Sequence, residues 1–179
     1  MKIDYEIIDN FLPQQKFLEI QKGLMNVEIA AELWSYNDII ASADESKNWK
    51  YFYMTHLIYC NSSEYMVLHN DVVSRYMYEK IIPVLEKLDI RKLIRVKANL
   101  YPNSEELHEH EFHTDFEYSH MAAILYINTC NGYTKFENGT KVDSIANRIL
   151  LFDGSIPHCS TTTTDQTARF NIGFNWRME

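Results

Sequence analysis

The sequence predicts a mainly β fold: a small barrel or sandwich whose mouth holds a site, with N-terminal helices as an outer brace. Three observations lead there. Apolar residues recur at helical spacing over much of the first 92 residues and alternate at period two afterwards. Two of the later strands carry polar residues on one whole face, which calls for a hydrated cavity. The 179 residues, 46% hydrophobic and 23% charged with only 5 Gly and 4 Pro, suit one folded domain and exclude a disordered or collagenous chain.

The elements follow in order. Residues 3–8 alternate (Ile3, Tyr5, Ile7) as a short strand. Pro13 opens a helix to about Asn26, with Phe17, Ile20 and Leu24 on one face. Residues 41–50 are polar and read as a loop, and 51–59 as an aromatic-rich strand. Ser62 and Ser63 can cap a helix from about Glu64 through Leu68, Val72, Tyr76 and Ile82, which Pro83 is expected to kink or restart. Residues 93–101 place Ile94, Val96, Ala98 and Leu100 on one face and Arg95, Lys97, Asn99 and Tyr101 on the other. Strands follow at 121–128, at 133–137 before the Asn138-Gly139 turn, and at 147–153. The last, 167–176, sets Phe170, Ile172, Phe174 and Trp176 against Arg169, Asn171, Gly173 and Asn175. The whole chain, 1–179, is expected to be one domain, with 1–92 as helical brace and outer strands and 93–179 as the barrel core.

A net charge of −8 disfavours sequence-independent binding to nucleic acid or anionic membranes, which need clustered cations. The odd, scattered set Cys60, Cys130 and Cys159 suits a reducing compartment, and the acidic start is no secretion signal. A cytoplasmic protein is expected.

His113-Thr114-Asp115 offers two metal-ligand types at i and i+2, on one face of an extended chain, and His158 follows after a strand and a Gly154/Pro157 turn. Two imidazoles and one carboxylate form the facial set preferred by non-haem Fe(II), with coordination positions left open. Arg169, eleven residues on from His158, lies on the polar face of the last strand, where a guanidinium fork can hold the remote end of a dicarboxylate. Asn99, Tyr101 and Tyr126 lie on faces pointing the same way. His108 and His110 read as a solvated loop. The acids Glu105, Glu106, Glu109 and Glu111 suggest a mouth favouring neutral or cationic substrates.

Over residues 94–176 the sequence resembles the 2-oxoglutarate/Fe(II)-dependent dioxygenases, particularly the small prolyl-hydroxylase-like members. The resemblance rests on Asn99-Leu-Tyr101-Pro, His113-Thr-Asp115, Leu125-Tyr126-Ile-Asn128, Gly132-Tyr-Thr-Lys-Phe136, Leu151-Phe152-Asp153, Pro157-His158 and Arg169-Phe-Asn171. The opening run from Tyr5 to Pro13 is similar as well. It implies a double-stranded β-helix, or jelly roll, with Fe(II) on His113, Asp115 and His158 and 2-oxoglutarate on Arg169. Tyr101 and Tyr126 fall on the family's co-substrate tyrosines, while Asn99 and Asn171 match its nucleic-acid-demethylase branch. Where the pattern has Gly-Gly, this chain has Gly132-Tyr133. The implied activity is O2-dependent hydroxylation of a C–H bond in a protein side chain or small molecule, releasing succinate and CO2. Two other readings remain: a nucleic-acid dealkylase of the same superfamily, disfavoured by the missing basic groove, and a non-catalytic cupin-like binding protein, disfavoured by Arg169.

Overall fold

The computed structural model describes residues 4–26, 33–37, 51–61 and 72–178. The architecture is mainly β, in two antiparallel sheets consistent with a jelly-roll core. In chain order the elements are β1 (Tyr5–Ile8), α1 (Gln14–Met25), β2 (Ser35–Asn37), β3 (Tyr53–Cys60), α2 (Val72–Lys87), β4 (Lys92–Pro102), β5 (Met121–Tyr126), β6 (Tyr133–Phe136), β7 (Lys141–Asp143), β8 (Ile149–Asp153), β9 (His158–Ser160) and β10 (Ala168–Arg177). The major sheet runs β1-β8-β5-β10-β4-β3-β2 and the minor sheet β7-β6-β9.

The apolar faces of the alternating strands pack on the helices. Phe17, Ile20 and Leu24 of α1 and Met77, Ile81 and Val84 of α2 share one core with Val96, Ala98, Ile172 and Phe174. Gly23 permits the close helix contact, because a Cβ there would meet Met77 Sδ at 2.8 Å. Pro83 does not restart α2, which runs unbroken through it. Burial of Met77, Ile81 and Val84 on both sides outweighs the roughly 3 kcal/mol that an internal proline costs. Asp89 (φ 48°) then ends the helix in a Schellman motif: its N–H donates to Glu86 O and that of Ile90 to Leu85 O.

The expected helix start at 62–71 and the loop at 41–50 fall outside the described residues. The strand expected from 147 begins at Ile149, because Asn147 adopts a left-handed backbone (φ 63°). From there its side chain accepts from Leu12 N–H (2.9 Å) and donates to Leu12 O (2.8 Å), pinning the N-terminal segment to the barrel. No described helix is long and apolar enough to cross a membrane.

Candidate metal and co-substrate site

The polar faces of β4 and β10 meet rung by rung. Their antiparallel register pairs Arg95 with Asn175, Lys97 with Gly173, Asn99 with Asn171, and Tyr101 with Arg169. Of these, Arg95, Lys97, Asn99, Tyr101, Asn171 and Gly173 line a cleft that Tyr53, His113, Asp115, Thr134, His158 and Ser160 complete.

His113, Asp115 and His158 converge, with their ligand atoms all within 4.8 Å of one another. Local backbone pairing explains this. His113 and His158 form an antiparallel bridge, each N–H donating to the other's carbonyl at 3.0 Å, so both rings leave the same side, with centroids 4.9 Å apart. Each ring also approaches a carbonyl two residues back, His158 Nδ1 at 3.0 Å from Ile156 O and His113 Nδ1 at 3.4 Å from Glu111 O. Donation from Nδ1 leaves Nε2 as the lone pair for a metal. Burial, reinforced by the neighbouring His158, pushes His113 down to about 4, so it is neutral at pH 7.

Asp115 is ionised. Burial alone would raise its carboxyl, but Arg95, His158 and Lys97 outweigh that and hold it well below the usual carboxylate range. Arg95 donates to one carboxylate oxygen and Asn175 Nδ2 to the other at 2.9 Å. Arg95 Nε also donates to Asn175 Oδ1 at 3.2 Å, and its guanidinium lies 4.8 Å from the Phe116 ring centroid.

At the other end Arg169 is wholly buried. Its guanidinium donates to Ser160 Oγ, to Thr161 O at 3.2 Å and to Thr134 Oγ1 at 3.3 Å, and it lies 5.5 and 5.7 Å from the ring centroids of Tyr101 and Tyr126. The Tyr126 hydroxyl donates to the same Thr134 Oγ1 at 2.8 Å. Arg169 Nε is buried with no partner, an unmet donor in an otherwise satisfied cluster. Asn99 and Asn171 line the cleft but bond to each other at 2.8 Å, leaving Asn99 Oδ1 unmet. Cys159 is outside the ligand group, and burial pushes its thiol up to about 11.

Two expectations about the 105–113 loop change. His110 is 3% exposed and His108 stacks on Tyr51 at 3.7 Å, so neither lies in a solvated loop. The backbone here zips onto β9: His110 N–H donates to Ser160 O, and His108 and Thr162 are joined through His108 O. The acids do not all face the mouth either. Glu109 takes Lys135 at 2.6 Å, Lys141 at 3.3 Å and the Tyr133 hydroxyl, which together hold it down at about 2. Inside the cleft Arg95 and Lys97 face Asp115, and burial, with Arg95 beside it, pushes Lys97 down to about 8. From sequence, Arg95, Lys97 and Asn175 lie on inward faces without assigned roles, and Tyr53, Thr134 and Ser160 are given no part in the metal and co-substrate site. Period-two alternation was the available signal.

Neither a family model nor a curated relative matches the chain. Solved structures do. A 2OG-Fe(II) oxygenase family oxidoreductase from Burkholderia pseudomallei is similar at TM-score 0.67 and 10% identity, over 98% of this chain and 86% of that one. A prolyl hydroxylase from Trichoplax adhaerens, solved with a hypoxia inducible factor peptide, gives 0.64 and 18%, over 97% and 83%. The chain has the fold of the 2-oxoglutarate/Fe(II) oxygenases. An alpha ketoglutarate dependent epimerase of nogalamycin biosynthesis shares it too, at TM-score 0.59 and 12% identity over 98% of this chain and 82% of that one. One fold thus serves neighbours with a peptide partner and with a different reaction.

Proposed function

We propose that the chain is an Fe(II)- and 2-oxoglutarate-dependent dioxygenase of the prolyl-hydroxylase-like kind, hydroxylating a C–H bond of a protein side chain or small molecule. The observation that carries this is a two-His, one-carboxylate donor set in the cleft, with a buried arginine that bonds Ser160 and Thr134 of the cleft wall and keeps an unmet N–H. The donor set fits Fe(II): two imidazoles, an ionised carboxylate and no thiolate. Bound iron and 2-oxoglutarate would supply the oxidation, consuming O2 and releasing succinate and CO2.

The chain's own residues bind, orient and exclude water. His113, Asp115 and His158 hold the metal; Arg95 and Asn175 fix the carboxylate. Arg169 receives the distal carboxylate of the co-substrate, with Thr134 and Tyr126 setting its fork and Tyr101 walling the cleft. Asn99 and Asn171 serve as a hydrogen-bonded floor of the cleft, Asn99 Nδ2 donating to Asn171 Oδ1. In this reading 1–179 is a single oxygenase domain, with α1 and α2 bracing the double-stranded β-helix. Three buried cysteines, an odd and scattered set, fit a cytoplasmic setting.

The test is anaerobic loading with Fe(II) and 2-oxoglutarate, admission of O2, and quantification of succinate. Slow succinate formation is expected without added substrate and should vanish in Asp115→Ala. Equal succinate from both proteins would overturn the assignment.

A further inference from the structure

Resting on the oxygenase reading, the β4–β10 ladder also bears on the substrate. Three of its four rungs are internally engaged. Arg95 and Asn175 are spent on Asp115, Asn99 and Asn171 on each other, and Tyr101 packs against Arg169. The remaining rung is Lys97 opposite Gly173. Lys97 Nζ makes no hydrogen bond or ion pair with any described residue. It lies over the Tyr53 ring, 5.6 Å from the centroid, and the Tyr53 hydroxyl likewise has no described hydrogen-bond partner. Both residues line the cleft. Gly173 keeps the space across from them open, since a Cβ there would meet nothing closer than Lys97 O at 3.8 Å.

An ammonium and a phenol with no acceptor, partly or wholly removed from solvent, are costly unless a ligand supplies one. Lys97 stands apart from the co-substrate pole, which Tyr53 borders by stacking on Tyr101 with ring centroids 5.6 Å apart. Arg169 gathers Tyr126 of β5, Thr134 of β6 and Ser160 of β9, whereas Lys97 leans toward β3, on the opposite flank of β4 from β10. We propose that Lys97 and Tyr53 form a second carboxylate-binding pole, used by the molecule that is oxidised. The substrate is then an anionic, carboxylate-bearing compound. This reverses the preference for cations suggested by the acidic 105–111 run, whose Glu109 is already neutralised by Lys135 and Lys141.

The test uses the full chain loaded with Zn(II), which cannot turn over, and saturated with 2-oxoglutarate so that Arg169 is occupied. Benzoate and hexanoate are titrated against their primary amides by saturation-transfer NMR. Wild type should bind the acids about tenfold or more tightly than the amides, the range for a charge-assisted hydrogen bond. Lys97→Met should bring the two within about twofold, Tyr53→Phe should reduce the preference partially, and 2-oxoglutarate affinity should stay within about twofold of wild type in both. Lys97→Gln, which keeps a polar group, repeats the reading should Lys97→Met not fold. No acid preference in wild type, or a preference that survives Lys97→Met, overturns the proposal. So does a tenfold loss of 2-oxoglutarate affinity in Lys97→Met, which would assign the ammonium to the co-substrate. The same comparison is run without 2-oxoglutarate. A chain that never binds 2-oxoglutarate therefore fails the oxygenase reading while still reporting on Lys97.

Discussion

Replacing Arg95 with Met tests whether the carboxylate ligand is held in place by its neighbours before any metal arrives. Arg95 and Asp115 are each 18% exposed, between the surface pairs worth about 0–1 kcal/mol and the buried pairs whose disruption costs about 3–5. A value of about 2 kcal/mol is appropriate for the broken pair, and loss of the guanidinium over the Phe116 ring adds about 0.5–1 kcal/mol. At about 2–4 °C per kcal/mol for a chain of this size, the metal-free protein at pH 7 should melt about 5–10 °C below wild type. Linkage fixes the pH dependence. The folded-state carboxyl of Asp115 lies below its unfolded value of 3.8, so its contribution is complete above that value and is lost as pH falls through the folded one. The gap should therefore be widest at neutral pH and narrower at pH 3. Arg95→Lys should recover part of it, because a point charge cannot serve both Asp115 and Asn175. The assay is thermal unfolding by circular dichroism in chelator. A melting point within 1 °C of wild type at pH 7, or a gap that widens in acid, would refute the reasoning.

Three further outcomes follow from the same geometry. In Gly132→Ala the new Cβ would meet Thr162 O and Arg169 Cδ, each at 2.6 Å; calorimetry should show at least severalfold weaker 2-oxoglutarate binding and urea melts a loss of about 1–3 kcal/mol. His113, pushed down to about 4, refuses protons that the unfolded chain accepts near 6.5, so metal-free stability should fall by about 1–2 kcal/mol as pH drops through that window. His113→Leu should flatten that decline in urea titrations at pH 7 and 4.5, and an unchanged slope would count against it. Asn147→Ala loses two buried hydrogen bonds and the asparagine tolerance of positive φ, for an expected cost of about 2–4 kcal/mol by chemical denaturation.

The parts of the site legible in the sequence are those whose chemistry is local. His113 and Asp115 share a face because they stand two residues apart, and Arg169 is inward because its strand alternates. Partnership between inward residues is not local. Arg95, Asp115 and Asn175 meet only through the β4–β10 register, which a bulge between Asn175 and Trp176 shifts, and through a loop that returns Asp115 to it. No spacing rule assigns that triangle. The three-residue strands β2, β7 and β9 went unread for a related reason: they are too short to show a period, and pairing alone defines them. The continuation of α2 through Pro83 is likewise non-local: it rests on the burial of Met77, Ile81 and Val84 on either side.

In the 108–113 segment, side-chain contacts to the minor sheet and backbone pairing along β9 together fix the approach to His113. Tyr133, standing where the pattern has a second glycine, donates its hydroxyl to Glu109 and accepts from Lys141 at 2.7 Å. Lys135 closes on the same carboxylate. The loop leading to the first metal ligand is thereby tied to the minor sheet by side chains, while His108, His110 and His113 pair by backbone with Thr162, Ser160 and His158. That stretch lies along the β9 edge, and of its three histidine rings only the last is in the ligand group. An anchored approach to His113 pre-positions the donor set. In the proposed site the ordering entropy of those residues is then met on folding rather than on metal binding, and the Tyr133 hydroxyl is one of the contacts responsible.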